Sequence, residues 1–287
     1  MVAQFNPVAV RRVKLAGRAL ITYAGLGFFG AVTALPFVWM LVSSLKEPGT
    51  LFTYPPQWIP NPVRWRNYID LTQEMPFTTF FVNSVKIALL FTLGDLLGCS
   101  VAAYALARFQ FPGRDALFAV MLACLMIPFQ VTLIPQFVLF NKLGLMDKQV
   151  VLWGPAFTGS PFGVFLLRQF FMGLPGELED AACIDGSSRF GIFWRIFLPL
   201  SKPALATLAI FGFMASWNDL LGPVLYLSTK SKMTLPVGLA ALHAHWGATP
   251  WHLVMAGAVI SVVPILMVYL VGQRYFVQGI VMTGLKM

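Results

Sequence analysis

Long apolar runs, separated by short basic or Pro/Gly-rich breaks, set the rhythm of this chain. Residues 20–42 are almost unbroken by polar side chains, and about 20 apolar residues suffice to cross a bilayer's hydrocarbon as a helix. The run predicts a first transmembrane helix, kinked by Pro36. It is too long for the apolar core of a signal peptide and lacks a small-residue cleavage site. Five more runs follow, and they predict spans over residues 83–107, 116–140, 150–171, 203–227 and 251–273. Pro128 and Pro135 fall inside the third. Gly154-Pro155, Gly159, Pro161 and Gly163 make the fourth the least helical, suited to close packing or to an unwound, cavity-lining stretch. Between the first two runs, residues 43–82 carry Pro55-Pro56, Trp58, Pro60, Pro62, Trp65 and Tyr68. They predict an ordered extracytoplasmic loop at the membrane interface, where aromatic rings concentrate.

Composition sharpens the class. Of 287 residues, 58% are hydrophobic and 11% charged, with mean hydropathy +0.75. About a quarter of residues are charged in an ordinary soluble domain. The pattern is that of an all-α integral membrane protein with six transmembrane helices. The net charge of +9 does not mark a nucleic-acid binder, because the basic residues are dispersed and bracket the apolar runs. They act as topology signals and headgroup contacts, so membrane lipid is an expected partner and nucleic acid is not. Residues 1–19 hold Arg11, Arg12, Lys14 and Arg18 without an acid. With six spans both termini share one side, and twelve of the twenty Lys and Arg residues fall there. That bias predicts a cytoplasmic segment over 1–19, a transmembrane domain over 20–273 and a cytoplasmic tail over 274–287. Cys99, Cys124 and Cys183 have no CxxC spacing and predict neither disulfides nor a zinc site.

The densest charge lies between the fourth and fifth runs. Pro175-Gly176 stops the preceding helix, and Glu177, Glu179 and Asp180 then occupy a first helical turn, where carboxylates meet the positive end of the helix dipole. Ala181 and Ala182 favour helix and let another surface come close. Gly186 predicts the helix end, and Ser187 or Ser188 a cap for the next. A helix of about ten residues is marginal alone, so a small acidic helix here predicts a docking site for a partner. The segment after it, residues 190–200, reads as an aromatic-rich interfacial stretch with Arg189, Arg195 and Lys202 available to headgroups.

Asp180-Ala181-Ala182, then Gly186, Ile196 and Leu198-Pro199 at fixed spacing, resembles the EAA loop of ABC-importer permeases. The usual first Glu is Asp180 here, which shortens its reach. The resemblance implies a coupling helix at 177–190 that fits a cleft on the ATPase, with Glu179, Asp180, Ala181, Ala182, Asp185, Gly186, Ile196, Leu198 and Pro199 as the coupling residues. Shorter matches run in order along the chain: 167–171 (Leu-Arg-Gln-Phe-Phe), Trp217-Asn218-Asp219, and 276–280 (Phe-Val-Gln-Gly-Ile) with Gly284 and Lys286. They look like the carbohydrate-uptake branch, the maltose-type permeases. That branch implies a second homologous permease subunit, two ATPase subunits carrying ATP and Mg, and an extracytoplasmic solute-binding protein. It implies a bacterial or archaeal cytoplasmic membrane, a loop over 226–251 that probes the binding protein, and a tail near the ATPases. The partner permease often makes most substrate contacts, so no substrate residues are carried onto this chain.

Other chemistry finds less support. No Gly-x-x-x-x-Gly-Lys-[Ser/Thr] phosphate loop occurs, so ATP would be bound by another polypeptide and the chain itself is no enzyme. Asp95 and Asp219 lie in predicted spans, where a central charge costs about 2.5–3.5 kcal/mol on insertion scales. They read as proton-relay groups of an ion-coupled secondary transporter, as the dyad of an intramembrane protease, or, most plainly, as a packing hydrogen bond and a group near the outer end of the fifth helix. Gly94-Asp95 lacks the fuller Gly-x-Gly-Asp pattern of the protease. His243, His245 and His252 lack a Cys or acid to complete a metal site.

Overall fold

The computed structural model describes residues 7–243 and 249–284, with side chains described within 17–242 and 249–273. All regular elements there are helical. In order they are α1 (Pro7–Ser44), α2 (Asn67–Glu74), α3 (Phe77–Arg108), α4 (Arg114–Ala123) with a 3-10 turn at Cys124–Met126, and α5 (Phe129–Lys142). Then come α6 (Val150–Trp153), a 3-10 segment at Gly154–Thr158, α7 (Pro161–Met172), α8 (Glu177–Ile184) and α9 (Arg189–Ile192). A π-helical turn at Phe193–Phe197 leads into α10 (Leu198–Leu200) and α11 (Lys202–Trp217). The chain closes with α12 (Leu221–Tyr226), a 3-10 turn at Lys230–Lys232, α13 (Leu235–His243) and α14 (Trp251–Gly284).

Among the described residues, four helical stretches without a sharp bend are long and apolar enough to cross a membrane: Gly17–Ser44, Phe77–Arg108, Val150–Met172 and Trp251–Gln273. Two more stretches qualify only as bent pairs, which bring the number to six if each is one span. The third expected span is one of these, bent by 103° between Met126 and Phe129. Its cause is Pro128, which excludes Ile127 from helical backbone; Ile127 sits at φ −84°, ψ 114°. Pro135, by contrast, is carried inside α5. The fifth also differs from expectation. Its bent pair joins residues 189–200 to α11 at 78° and ends at Trp217, so the second half of the expected 203–227 run forms the separate α12.

The chain divides into two compact units. One comprises residues 1–70 with 250–259, the other residues 71–249 with 260–287. In the first, the aromatic loop is ordered by the end of α1. Asn67 Nδ2 donates to Ser44 O and Lys46 O at 2.8 Å each, and Ser44 Oγ meets Tyr68 OH at 2.8 Å. Lys46 lies 4.3 Å from the Trp39 ring centroid, and Trp39 packs edge-on against Trp58 at 5.2 Å.

In the second unit α3 packs against α7, α11 and the 3-10 segment. Closeness comes from missing side chains: a Cβ on Gly98 would sit 2.5 Å from Gly159 N and Phe157 O, and Gly159 itself has φ +80°. Asp95, buried in this contact, accepts from Ser160 N at 2.9 Å and from Cys99 Sγ at 3.2 Å. That is a packing hydrogen bond, and it holds the broken fourth span against α3. Asp219 caps the turn before α12, accepting from Gly222 N at 3.0 Å. The expected outer loop is not irregular throughout. It contains α13, fastened to α3 where Leu235 N donates to Ser84 Oγ at 2.8 Å. Asn83 Nδ2 adds 2.9 Å bonds to Ser231 O and Met233 O.

Candidate coupling site

The acidic helix α8 begins immediately after Pro175-Gly176, with Glu177, Glu179 and Asp180 in its first turn. Its end follows from Gly186. With φ +78°, Gly186 turns the chain so that its N–H reaches Cys183 O (3.0 Å) and Ser187 N–H reaches Ala182 O (2.9 Å). This pair of bonds is the Schellman closure that glycine favours. Ser188 Oγ then accepts from Gly191 N at 3.1 Å and caps α9.

Two of the nine residues expected to couple face inward. Glu179 is only 8% exposed; it accepts from Arg189 Nη1 on α9 and lies 3.9 Å from Arg108 Nε on α3. Arg108 Nη2 donates to Phe171 O (2.6 Å) and Leu174 O (2.7 Å), which fastens the α7–α8 connection to the end of α3. Ala182 is buried in the core beneath, with Tyr104, Phe171, Phe193 and Phe197. Asp180, Ala181, Asp185 and Gly186 face outward. Ile196 and Leu198 pack partly against the same core, and Pro199 is exposed.

The aromatic stretch after α8 departs from the expected interfacial position. Ile192, Phe193 and Phe197 are buried, while Phe190 and Trp194 stay exposed. Tyr104 brings the buried rings together, with centroids 5.1 Å from Phe193 and 5.0 Å from Phe197. The π turn over Phe193–Phe197 lets one short segment bury rings and still present Arg195 to the exterior. Phe193 and Phe197 are core rather than headgroup contacts because Tyr104, near the end of α3, supplies an apolar face for them.

Sequence reasoning passed over Ile184, which is 87% exposed at the end of α8 beside Asp180 and Asp185. Its signal was a large apolar residue four positions after Asp180, on the outward side of an acidic helix whose other large apolar residue, Leu178, is also exposed. The bracing arginines, Arg108 and Arg189, were also legible only as topology charges. Among the described residues no group of three His, Cys, Asp or Glu is placed to hold a metal. His245 and Lys286 lie outside the described residues, and the side chains of His243 and of residues 274–284 do so as well. Cys99 is buried, Cys124 and Cys183 are exposed, and all three are free.

Comparison with known proteins places this geometry. Residues 94–282 match the family described as binding-protein-dependent transport system inner membrane component. The chain is 36% identical to the arabinooligosaccharides transport system permease protein AraQ of Halalkalibacterium halodurans, over 91% of this chain and 94% of that one. It is 35% identical to the sn-glycerol-3-phosphate transport system permease protein UgpE of Yersinia pestis, over 86% and 90%. The fold is similar to a chain of a bacterial ABC transporter for import of the acidic polysaccharide alginate, with TM-score 0.79, 22% identity, and 96% and 100% of the two chains covered. With an acidic helix braced on a helical membrane core and a family match over most of its length, the chain belongs to the binding-protein-dependent inner membrane components, the permease subunits of ABC importers.

Proposed function

We propose that this permease forms half of the translocation pathway of an ATP-driven importer for a sugar or oligosaccharide. α8 is its lever: it seats in a cleft on an ATPase subunit, and closure of the ATPases moves it together with α3 and α7. ATP and Mg are held by those ATPase subunits. A second, homologous permease completes the pathway, and an extracytoplasmic solute-binding protein delivers the cargo. The names of the relatives support a polyhydroxylated solute, neutral or anionic. Orientation follows from the lever: α8, the segment over 1–19 and the tail over 274–287 face the cytoplasm, in line with the excess of Lys and Arg on that side.

One observation carries this reading. α8 is gripped from within, through Glu179 and Ala182, while Asp180, Ala181, Ile184, Asp185 and Gly186 are turned outward with an apolar side chain at their centre. The exposed side of α8 joins small residues, carboxylates and Ile184 on a helix whose inner side is pinned, a surface that a partner can approach closely. The test replaces exposed residues only, with Ile184→Glu and Asp180→Lys. Each variant is expected in the membrane at the normal level, with uptake at least about tenfold lower and binding-protein-stimulated ATPase lost, as for removal of an interface anchor. Near-normal uptake in both would overturn the lever.

A further inference from the structure

We propose that a basic notch at the membrane boundary, on the end of the bundle opposite α8, holds the headgroup of an anionic phospholipid. Cations bracket the apolar part of α3 and the α6–α7 span in the same way. Residues 87–107, between Lys86 and Arg108, cover about 32 Å at the helical rise, close to the thickness of a bilayer's hydrocarbon. Lys148 and Arg168 enclose the neighbouring span of similar length. At the α8 end both arginines are used: Arg108 on Phe171 O and Leu174 O, Arg168 on Leu106 O at 3.2 Å. At the opposite end the side chains of Lys86 and Lys148 have no ion pair or hydrogen bond among the described residues. Both are exposed, and both line one cavity of about 280 Å³.

The rest of the lining decides its sign. Asn83, Asp147, Gln149, Ser231 and Lys232 complete it. Asp147 does not cancel the lysines, because its carboxylate is already committed. It accepts from Lys232 Nζ at 2.7 Å, Thr229 Oγ1 at 2.6 Å, and the N–H groups of Ser228 and Thr229 at 2.9 Å. Lys232 and Asp147 neutralise each other, which leaves Lys86 and Lys148 as two uncompensated positive charges. The notch is thus an anion site, at the depth where headgroup phosphates lie.

What distinguishes a lipid from a soluble anion or a protein carboxylate is the surface below. Lys86, Leu89, Leu93, Leu97 and Val101 share one exposed face of α3 at helical spacing. Lys86 therefore stands at the head of an uncovered apolar row. A diacyl lipid matches both parts, its phosphate between Lys86 and Lys148 and its chains along the leucines.

The experiment is native mass spectrometry of the purified, delipidated full chain titrated with dioleoylphosphatidylglycerol or dioleoylphosphatidylcholine. Phosphatidylglycerol is expected to bind preferentially. The double variant K86Q/K148Q should weaken it about 30-fold, each near-surface lysine contributing about fivefold. K86R/K148R should retain it, and K142Q, an exposed cation outside the notch, should leave it unchanged. Should the double variant be recovered poorly, K148Q alone carries the test, with about a fivefold loss. Displacement of the lipid by millimolar inorganic phosphate would make this a soluble-anion site and overturn the proposal. Phosphatidylglycerol binding unchanged in K86Q/K148Q would also overturn it, leaving the two cations to carboxylates of a protein partner.

Discussion

Glu179 shows how a charge can read one way in sequence and act another way in the fold. As the second acid of an acidic first turn it looks like a docking group, yet it is tied to Arg189 and Arg108 and turned from solvent. Arg189 is more than half exposed, so the pair with Glu179 is worth modest energy, and its value lies in fixing the angle of α8. A charge swap separates these roles. Glu179→Arg alone sets three cations together and should lower both thermal stability and uptake, and Arg189→Glu alone should do so less. The combination Glu179→Arg/Arg189→Glu should recover part of both losses, a coupling of about 1 kcal/mol between contacting residues. Melting curves and uptake rates of the four proteins check this, and strictly additive losses would refute the brace. Sequence could place the acids on one turn. It could not say which faced inward, because the buried positions of α8 are a glutamate and an alanine, and the core under Ala182 is supplied by Tyr104, Phe193 and Phe197 from other segments.

At the scale of elements, proline chemistry was legible and its geometric result was not. Pro128 and Pro135 both fall inside the third run, and the structure bends it by 103° at Pro128 alone, dividing it into α4 and α5. The fourth run was expected to be the least helical, and it is broken by the 3-10 segment Gly154–Thr158. What sequence left open was the partner of that break, because Asp95 and Ser160 are far apart in the chain and come together only in the packed pair. The contact makes a sharp forecast for Asp95. Its Oδ1 only accepts, from Ser160 N and Cys99 Sγ, so an amide oxygen serves nearly as well. Asp95→Asn should keep most uptake, whereas Asp95→Leu leaves Ser160 N with only the weak thiol acceptor Cys99 Sγ at 3.2 Å, at a cost of about 1 kcal/mol or more, and should reduce the amount of folded protein. Membrane-level blots and uptake assays with an uncoupler present read both effects. Loss of uptake in Asp95→Asn at normal protein level would refute a role confined to packing.

For the whole molecule, the apolar runs established a helical membrane protein and the EAA spacing its family, while the sidedness of the chain rests on a bias of twelve basic residues against eight. The bias is modest because Lys86, Lys148, Lys230 and Lys232 sit at the opposite end, where the structure gives two of them an anion notch and Lys232 an internal salt bridge. Those lysines answer to local chemistry rather than to insertion, so their count understates the topology signal. The free cysteines allow a direct measurement. Cys183 is exposed on α8, Cys99 is buried, and Cys124 lies in the middle of the bent third span. After Cys124→Ser, an impermeant maleimide should leave Cys183 unmodified in intact cells and label it in inverted vesicles. A cysteine introduced by Lys230→Cys, in the loop before α13, should show the reverse order. The same label reports on docking, since Cys183 shares the exposed side of α8 with Ile184. ATPase subunits added to inverted vesicles should slow its modification at least about tenfold, as expected where a standard-size interface excludes solvent, and Ile184→Glu should abolish that protection. Labelling of Cys183 from outside intact cells would reverse the orientation and remove α8 from the side on which ATP is available.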